Sequence, residues 1–196
     1  MRRLSLIIFA LVLAFSVSGC SYETRVDKAS IAETVTVQKG ENGFVYSFFI
    51  LSTDEEPKFV SIEGSNFDQA CIMARQKYIP DLSLTKLELF VVSEDVYSQT
   101  LYDDVRFMAT QYYISPRTYV AIADDETMNF ISESKDATEK IKKHIILNKN
   151  KNKETNENLL SIFNSFTNNK KLDLNISYIN SDNELKVAPI KILSEK

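Results

Sequence analysis

A chain of 196 residues, 44% hydrophobic and 26% charged, holds enough apolar material for one globular domain with a sizeable core. Its formal net charge of −4 disfavours nucleic acid as a partner and gives no general attraction to anionic lipid. Four glycines, four prolines and no tryptophan exclude a loop-built or low-complexity protein.

The first element is a leader. Arg2 and Arg3 precede an unbroken run of apolar and small residues from Leu4 to Val17, and the chain turns polar at Ser21-Tyr22-Glu23. A basic start, a short apolar core and a small-residue exit make a secretory signal rather than a fold element. As a helix the run would be about 21 Å long at ~1.5 Å per residue, short of the roughly 20 residues that a spanning helix needs. Val17-Ser18-Gly19-Cys20 resembles the bacterial lipobox, in which the cysteine thiol receives a diacylglyceryl group and cleavage precedes it. Cys20 is therefore expected to be the lipidated first residue of the mature chain, with residues 1–19 as the leader. One acyl chain binds a membrane reversibly and two give stable attachment, so a diacylglyceryl group suffices. That places the protein on the outer face of a bacterial cytoplasmic membrane. Cys71 is then the remaining thiol, and no intramolecular disulfide can form.

Residues 20–30 read as a polar membrane tether. From Ile31, Glu33, Val35 and Val37 fall on one side of a strand, with Thr34, Thr36 and Gln38 on the other. The turn Lys39-Gly40-Glu41-Asn42-Gly43 leads into the β-branched and aromatic run Phe44–Leu51, which predicts a β-hairpin. Lys58–Ile62 is a further short strand. Gly64-Ser65-Asn66 starts a helix in which Ser65 and Asp68 have the capping-box spacing. Phe67, Ala70, Cys71 and Ala74 form its apolar face, so Cys71 reads as a core thiol.

After Pro80, Leu84–Val92 predicts a strand buried on both faces. Ser93-Glu94-Asp95 has the chemistry of a helix start, and Leu101, Val105, Met108, Ala109 and Tyr112 supply one apolar stripe. Pro116 breaks that region, Thr118–Ala123 is an apolar strand, and Asp124-Asp125 opens a short helix carrying Met128, Phe130 and Ile131. This alternation is a βαβ unit attached to the hairpin. The class is α+β with a mixed sheet, its core spanning 31–134.

Lys135–Lys153 then carries seven lysines against two acids, and 135–155 reads as a mobile Lys/Asn-rich linker. Leu159, Leu160, Ile162, Phe163 and Phe166 make an amphipathic helix, and Leu172–Ile179 with Leu185–Leu193 a hairpin, so 156–196 completes the same domain.

No catalytic set, metal site or cofactor site is expected. His144 is the single histidine and lies among lysines, the setting of a solvated helix face. Beyond the leader the glycines are Gly40, Gly43 and Gly64, too scattered for a phosphate-binding loop. Asp103-Asp104 and Asp124-Asp125 read as solvated helix-surface or helix-start acids. Tyr112-Tyr113 reads as core packing in preference to a ligand groove, and the lysine tract as solvated charge in preference to a headgroup contact.

The order FVSIEGSNFDQACIMARQK, LTKLELFVVSEDV, a helix and SPRTYVAIADDETMNFIS resembles the N-terminal domain of the spore-germination receptor C subunit, the Ger(x)C lipoprotein family. Arg117, Tyr119 and Val120, with Ser93-Glu94, carry the resemblance, and the tail from Leu159 to Leu193 looks like the helix and strands that close that domain. Ser21 and Tyr22 stand where members have tryptophan and aspartate, and Thr85 lies near a position often held by histidine. Members continue into a large C-terminal region, so the chain is expected to be truncated relative to the family. The resemblance implies a non-enzymatic, lipid-anchored subunit on the outer face of the spore inner membrane, partnered by integral-membrane A and B subunits. A stand-alone envelope binding or scaffold lipoprotein unconnected with sporulation is the alternative reading.

Overall fold

A computed structural model describes residues 29–51, 58–151, 156–168, 172–180 and 185–192. The leader, Cys20 and most of the tether lie outside the described residues. Three strands, β1 (Ser30–Lys39), β2 (Phe44–Ile50) and β3 (Lys58–Gly64), form an antiparallel meander. Next to β1 and parallel to it runs β5 (Leu89–Ser93), followed by β6 (Tyr119–Ala123) and β7 (Leu172–Ile179), also parallel. Strand β8 (Leu185–Ile192) closes the sheet antiparallel to β7, and the two-residue β4 (Leu82–Ser83) pairs with the start of β1. The sheet order is therefore β3-β2-β1-β5-β6-β7-β8.

Parallel neighbours require long crossovers, and helices supply them. Helix α1 (Phe67–Lys77) follows β3, and α2 (Tyr97–Thr110) joins β5 to β6. Between β6 and β7 come α3 (Asp125–Glu133), α4 (Ala137–Lys151) and α5 (Leu159–Asn168). Helices α1, α2 and α5 bury Phe67, Ala70, Leu101, Val105 and Ile162 against Val35, Tyr46, Phe90 and Ile122 on one face of the sheet. Helices α3 and α4 bury Met128, Ile131, Ile141 and Ile145 against Leu89, Val91, Ala121 and Ile179 on the other. The α+β class with a mixed sheet is the observed one, and the βαβ unit is β5-α2-β6.

Covering both faces explains the departures from the expected pattern. The β1 alternation is in place, but Thr34 and Thr36 on its polar side are buried. Thr34 Oγ1 meets Thr138 Oγ1 of α4 at 2.6 Å. That contact exists because most of the stretch expected to be a linker is helix α4. Ala137, Ile141 and Ile145 recur every fourth residue, one stripe of a helix, and Lys140 and Lys143 are exposed away from it. Three small or branched apolar side chains suffice here because Leu89, Val91, Ala121 and Ala123 of β5 and β6 give them an apolar surface to pack on.

Local starts and stops also shift. Asn66, not Ser65, caps α1: its Oδ1 accepts from Gln69 N at 2.9 Å, while Gln69 Oε1 accepts from Ser65 N at 2.7 Å. The strand expected from Leu84 begins at Leu89, after a turn, and α2 begins at Tyr97 with no side-chain cap. Ser93 Oγ instead accepts from Asp95 N at 3.3 Å in the preceding turn. Asp124 does cap α3, accepting from Thr127 N at 2.9 Å.

The hairpin turn depends on a close backbone approach. Gly40 N donates to Gly43 O at 2.9 Å, and a Cβ at Gly43 would stand 2.8 Å from Gly64 O, where β3 hands over to α1. A backbone carbonyl paired in a sheet cannot swing aside as a side chain can. Gly43→Ala is expected to cost about 1–3 kcal/mol through that overlap, read as a lowered midpoint in thermal unfolding. An unchanged midpoint would mean that the end of β3 yields freely.

Candidate functional site

Because β5 and β6 run parallel and in register, with Leu89 opposite Tyr119, the segments entering them lie side by side. Tyr119 N donates to Glu88 O at 2.8 Å and Thr118 Oγ1 donates to Leu87 O at 2.8 Å. The middle of α4, through Lys142 and Ile146, reaches the same edge, and a cleft of about 610 Å³ opens between them. Thr85, Lys86, Glu88, Ser115, Arg117 and Lys142 supply its polar lining, with Leu87, Tyr119 and Ile146 as the apolar part.

Charge in the cleft is partly committed. Lys142 forms an ion pair with Glu88. Glu33, whose carbonyl accepts from Glu88 N at 2.9 Å, is held above the usual carboxylate range by burial first and by the Glu88 charge second. Lys86 and Arg117 are exposed at the rim. Two rim cations beside hydroxyls make a surface that attracts anionic groups.

A second polar constellation lies inside the core. Asp104 of α2 is fully buried. Its Oδ1 accepts from Phe67 N, the first amide of α1, at 3.0 Å, and its Oδ2 accepts from Tyr46 OH of β2 at 2.9 Å. One carboxyl thus joins two helices and a strand and sits at the positive end of the α1 dipole. Burial outweighs these two favourable hydrogen bonds and pushes its pKa up to about 7. Burial, and then the neighbouring Asp104, also push the Tyr46 hydroxyl above the ordinary tyrosine range. Sealed from solvent and bonded to both α1 and β2, Asp104 acts as a brace.

The other singled-out residues fall into place around these two sites. Cys71 is buried, and burial pushes its thiol up to about 12, the state of an inert core cysteine. His144 sits half-buried on α4. The acidic pair Asp103-Asp104 is divided: Asp103 is exposed as expected, while Asp104 is in the core, which corrects the solvated reading. A signal for it exists, since Asp104 falls at i+3 from Leu101 inside the stripe that Val105 and Met108 continue. Tyr112 departs in the opposite sense: it lies beyond the end of α2 and is 98% exposed. Its ring meets Tyr113 edge-on at 5.4 Å, and the Arg75 guanidinium lies over Tyr113 at 5.9 Å. Among the described residues no group of three His, Cys, Asp or Glu is arranged to hold a metal ion. No helix among them is long and apolar enough to cross a membrane.

A family model described as the spore germination protein N-terminal domain matches residues 23–181, and the chain belongs to that family. Its role lies in spore germination. No curated protein and no solved structure matches the chain.

Proposed function

We propose that this member of the spore germination protein N-terminal domain family is a lipid-anchored, non-catalytic subunit of a nutrient-germinant receptor. Cys20 holds it on the outer face of the spore inner membrane, where it docks on integral-membrane A and B subunits and supports germination signalling. The observation that carries this reading is the junction of two features: Val17-Ser18-Gly19-Cys20 ends just before the matched region begins at residue 23. A cysteine so placed tethers a folded germination domain by a short polar segment. Supporting the non-catalytic part, the buried carboxyl of Asp104, with its raised pKa, is spent on bracing α1, α2 and β2.

Deletion of the gene is expected to reduce dipicolinate release after nutrients are added, with recovery by the intact gene and none by a Cys20→Ala gene. The Cys20→Ala protein should also leave the membrane fraction, since the two acyl chains would be absent. Normal release across many nutrients, with the protein present in wild-type spores, would overturn the receptor reading in favour of an envelope scaffold.

A further inference from the structure

The two edges of the sheet differ in chemistry, and the difference bears on how the domain meets the membrane. The chain enters the fold at Ser30, whose N–H donates to Asp81 O at 3.1 Å. Strand β1 is parallel to β5 and β6, so its entry shares their N-terminal edge. Around that entry stand Tyr78, 63% exposed at the end of α1, Tyr112, 98% exposed after α2, and Ile146, 42% exposed on α4. Lys77, Lys86 and Arg117 are exposed on the same edge; the described acids among them are Asp81, exposed, Glu88, part-exposed and paired with Lys142, and half-buried Glu33. The opposite edge, where β5 and β6 end, carries exposed Glu94, Asp95, Asp125 and Glu126. Among the described residues the exposed charge thus divides into a basic end and an acidic end.

We infer that the N-terminal edge of the parallel strands, centred on Tyr78, Tyr112, Lys86 and Arg117, lies against an anionic phospholipid surface with the acidic edge turned away. Exposed tyrosines flanked by cations have the chemistry of the membrane–water interface, where amphipathic rings sit at headgroup level. Lys and Arg near anionic lipid are attracted within a Debye length, and the carboxylates of the far edge are repelled, so both ends favour one orientation. The length of chain outside the fold agrees. Nine residues lie between Cys20 and Ser30, and the ten steps of chain reach at most about 35 Å at ~3.5 Å per residue. A short tether attached at the basic edge holds that edge nearest the bilayer. This orientation rests on the lipid-anchor reading for its tether, while the charge and aromatic chemistry stand without it.

The test uses the mature lipoprotein reconstituted into phosphatidylglycerol–phosphatidylcholine vesicles with brominated acyl chains. A thiol fluorophore is placed at Tyr112→Cys or, on the acidic edge, at Glu126→Cys; Cys71 is buried and does not compete. Quenching at Tyr112→Cys is expected to exceed that at Glu126→Cys several-fold. The double variant Lys86→Glu/Arg117→Glu should remove the difference while the mass of the lipid on Cys20 is unchanged. Equal quenching at the two positions on a lipidated chain would overturn the orientation and leave the anchor standing. Shielding of Tyr112→Cys only when integral-membrane partner subunits are added would also overturn it, making this edge a protein-docking surface. A mature chain with Cys20→Ser, which has no lipid, should still bind phosphatidylglycerol vesicles at least about tenfold more tightly than the double variant does. Indifference to the charge reversal in that arm overturns the proposal whether or not Cys20 is lipidated.

Discussion

Replacing Asp104 by alanine is expected to lower the stability of the domain by roughly 2–5 kcal/mol, because it strands the Phe67 amide and the Tyr46 hydroxyl in a dry core. Equilibrium urea unfolding reads this directly. Asp104→Asn keeps a carbonyl acceptor in the same place and is expected to behave differently with pH. In the unfolded chain the carboxyl titrates near 4, whereas in the folded chain its pKa is about 7. Between those values the folded state holds a proton that the unfolded state has released. Stability contributed by this group is therefore fully present below about 4 and is lost as pH rises through about 7, a span on the order of 4 kcal/mol. The asparagine variant is neutral throughout, so it should lose most of the slope and overtake the wild type above the folded pKa. Glu33, half-buried and raised for the same reason, leaves a smaller slope of the same sign. A wild-type stability that rises with pH across this window would mean that hydrogen bonding, not burial, dominates at Asp104.

Phe67→Ala should be nearly as damaging, by a different mechanism. Phe67 is fully buried at the first turn of α1, with ring centroids 5.7 Å from Tyr46, 6.0 Å from Phe48, 5.4 Å from Phe90 and 6.0 Å from Phe107. Removing the ring leaves a cavity bordered by four other rings that cannot all collapse into it, at a cost of about 3–5 kcal/mol. Domains of this size commonly have only about 5–15 kcal/mol in total, so the variant should be partly unfolded at physiological temperature. Phe67→Leu fills much of the space and should cost less, about 1–2 kcal/mol. Because the Phe67 amide is also held by Asp104, the Phe67→Leu and Asp104→Asn effects should not add. An alanine cost below about 1 kcal/mol would remove Phe67 as the centre of this core.

What the sequence determined by itself was local. The period of two in β1, the glycine turn after Lys39, the aspartate cap of α3 and the apolar stripe of α5 arise within a few residues, where backbone geometry and capping chemistry act. These elements stand where the pattern places them. Helix α4 reads as a linker because its buried apolar residues, Ala137, Ile141 and Ile145, are few, and their worth depends on β5 and β6 presenting an apolar face to receive them. Asp103 and Asp104 point about 100° apart on the helix; the stripe of Leu101, Val105 and Met108 marks Asp104 as the inward one, and the positions of Tyr46 and Phe67 supply the partners that let a carboxyl lie there. The segregation of charge belongs wholly to the tertiary structure. Parallel strands gather every entering segment at one edge and every leaving segment at the other, so Lys77, Lys86 and Arg117 come together from separate stretches of chain. No window of sequence contains that edge, because the order of the strands in space creates it.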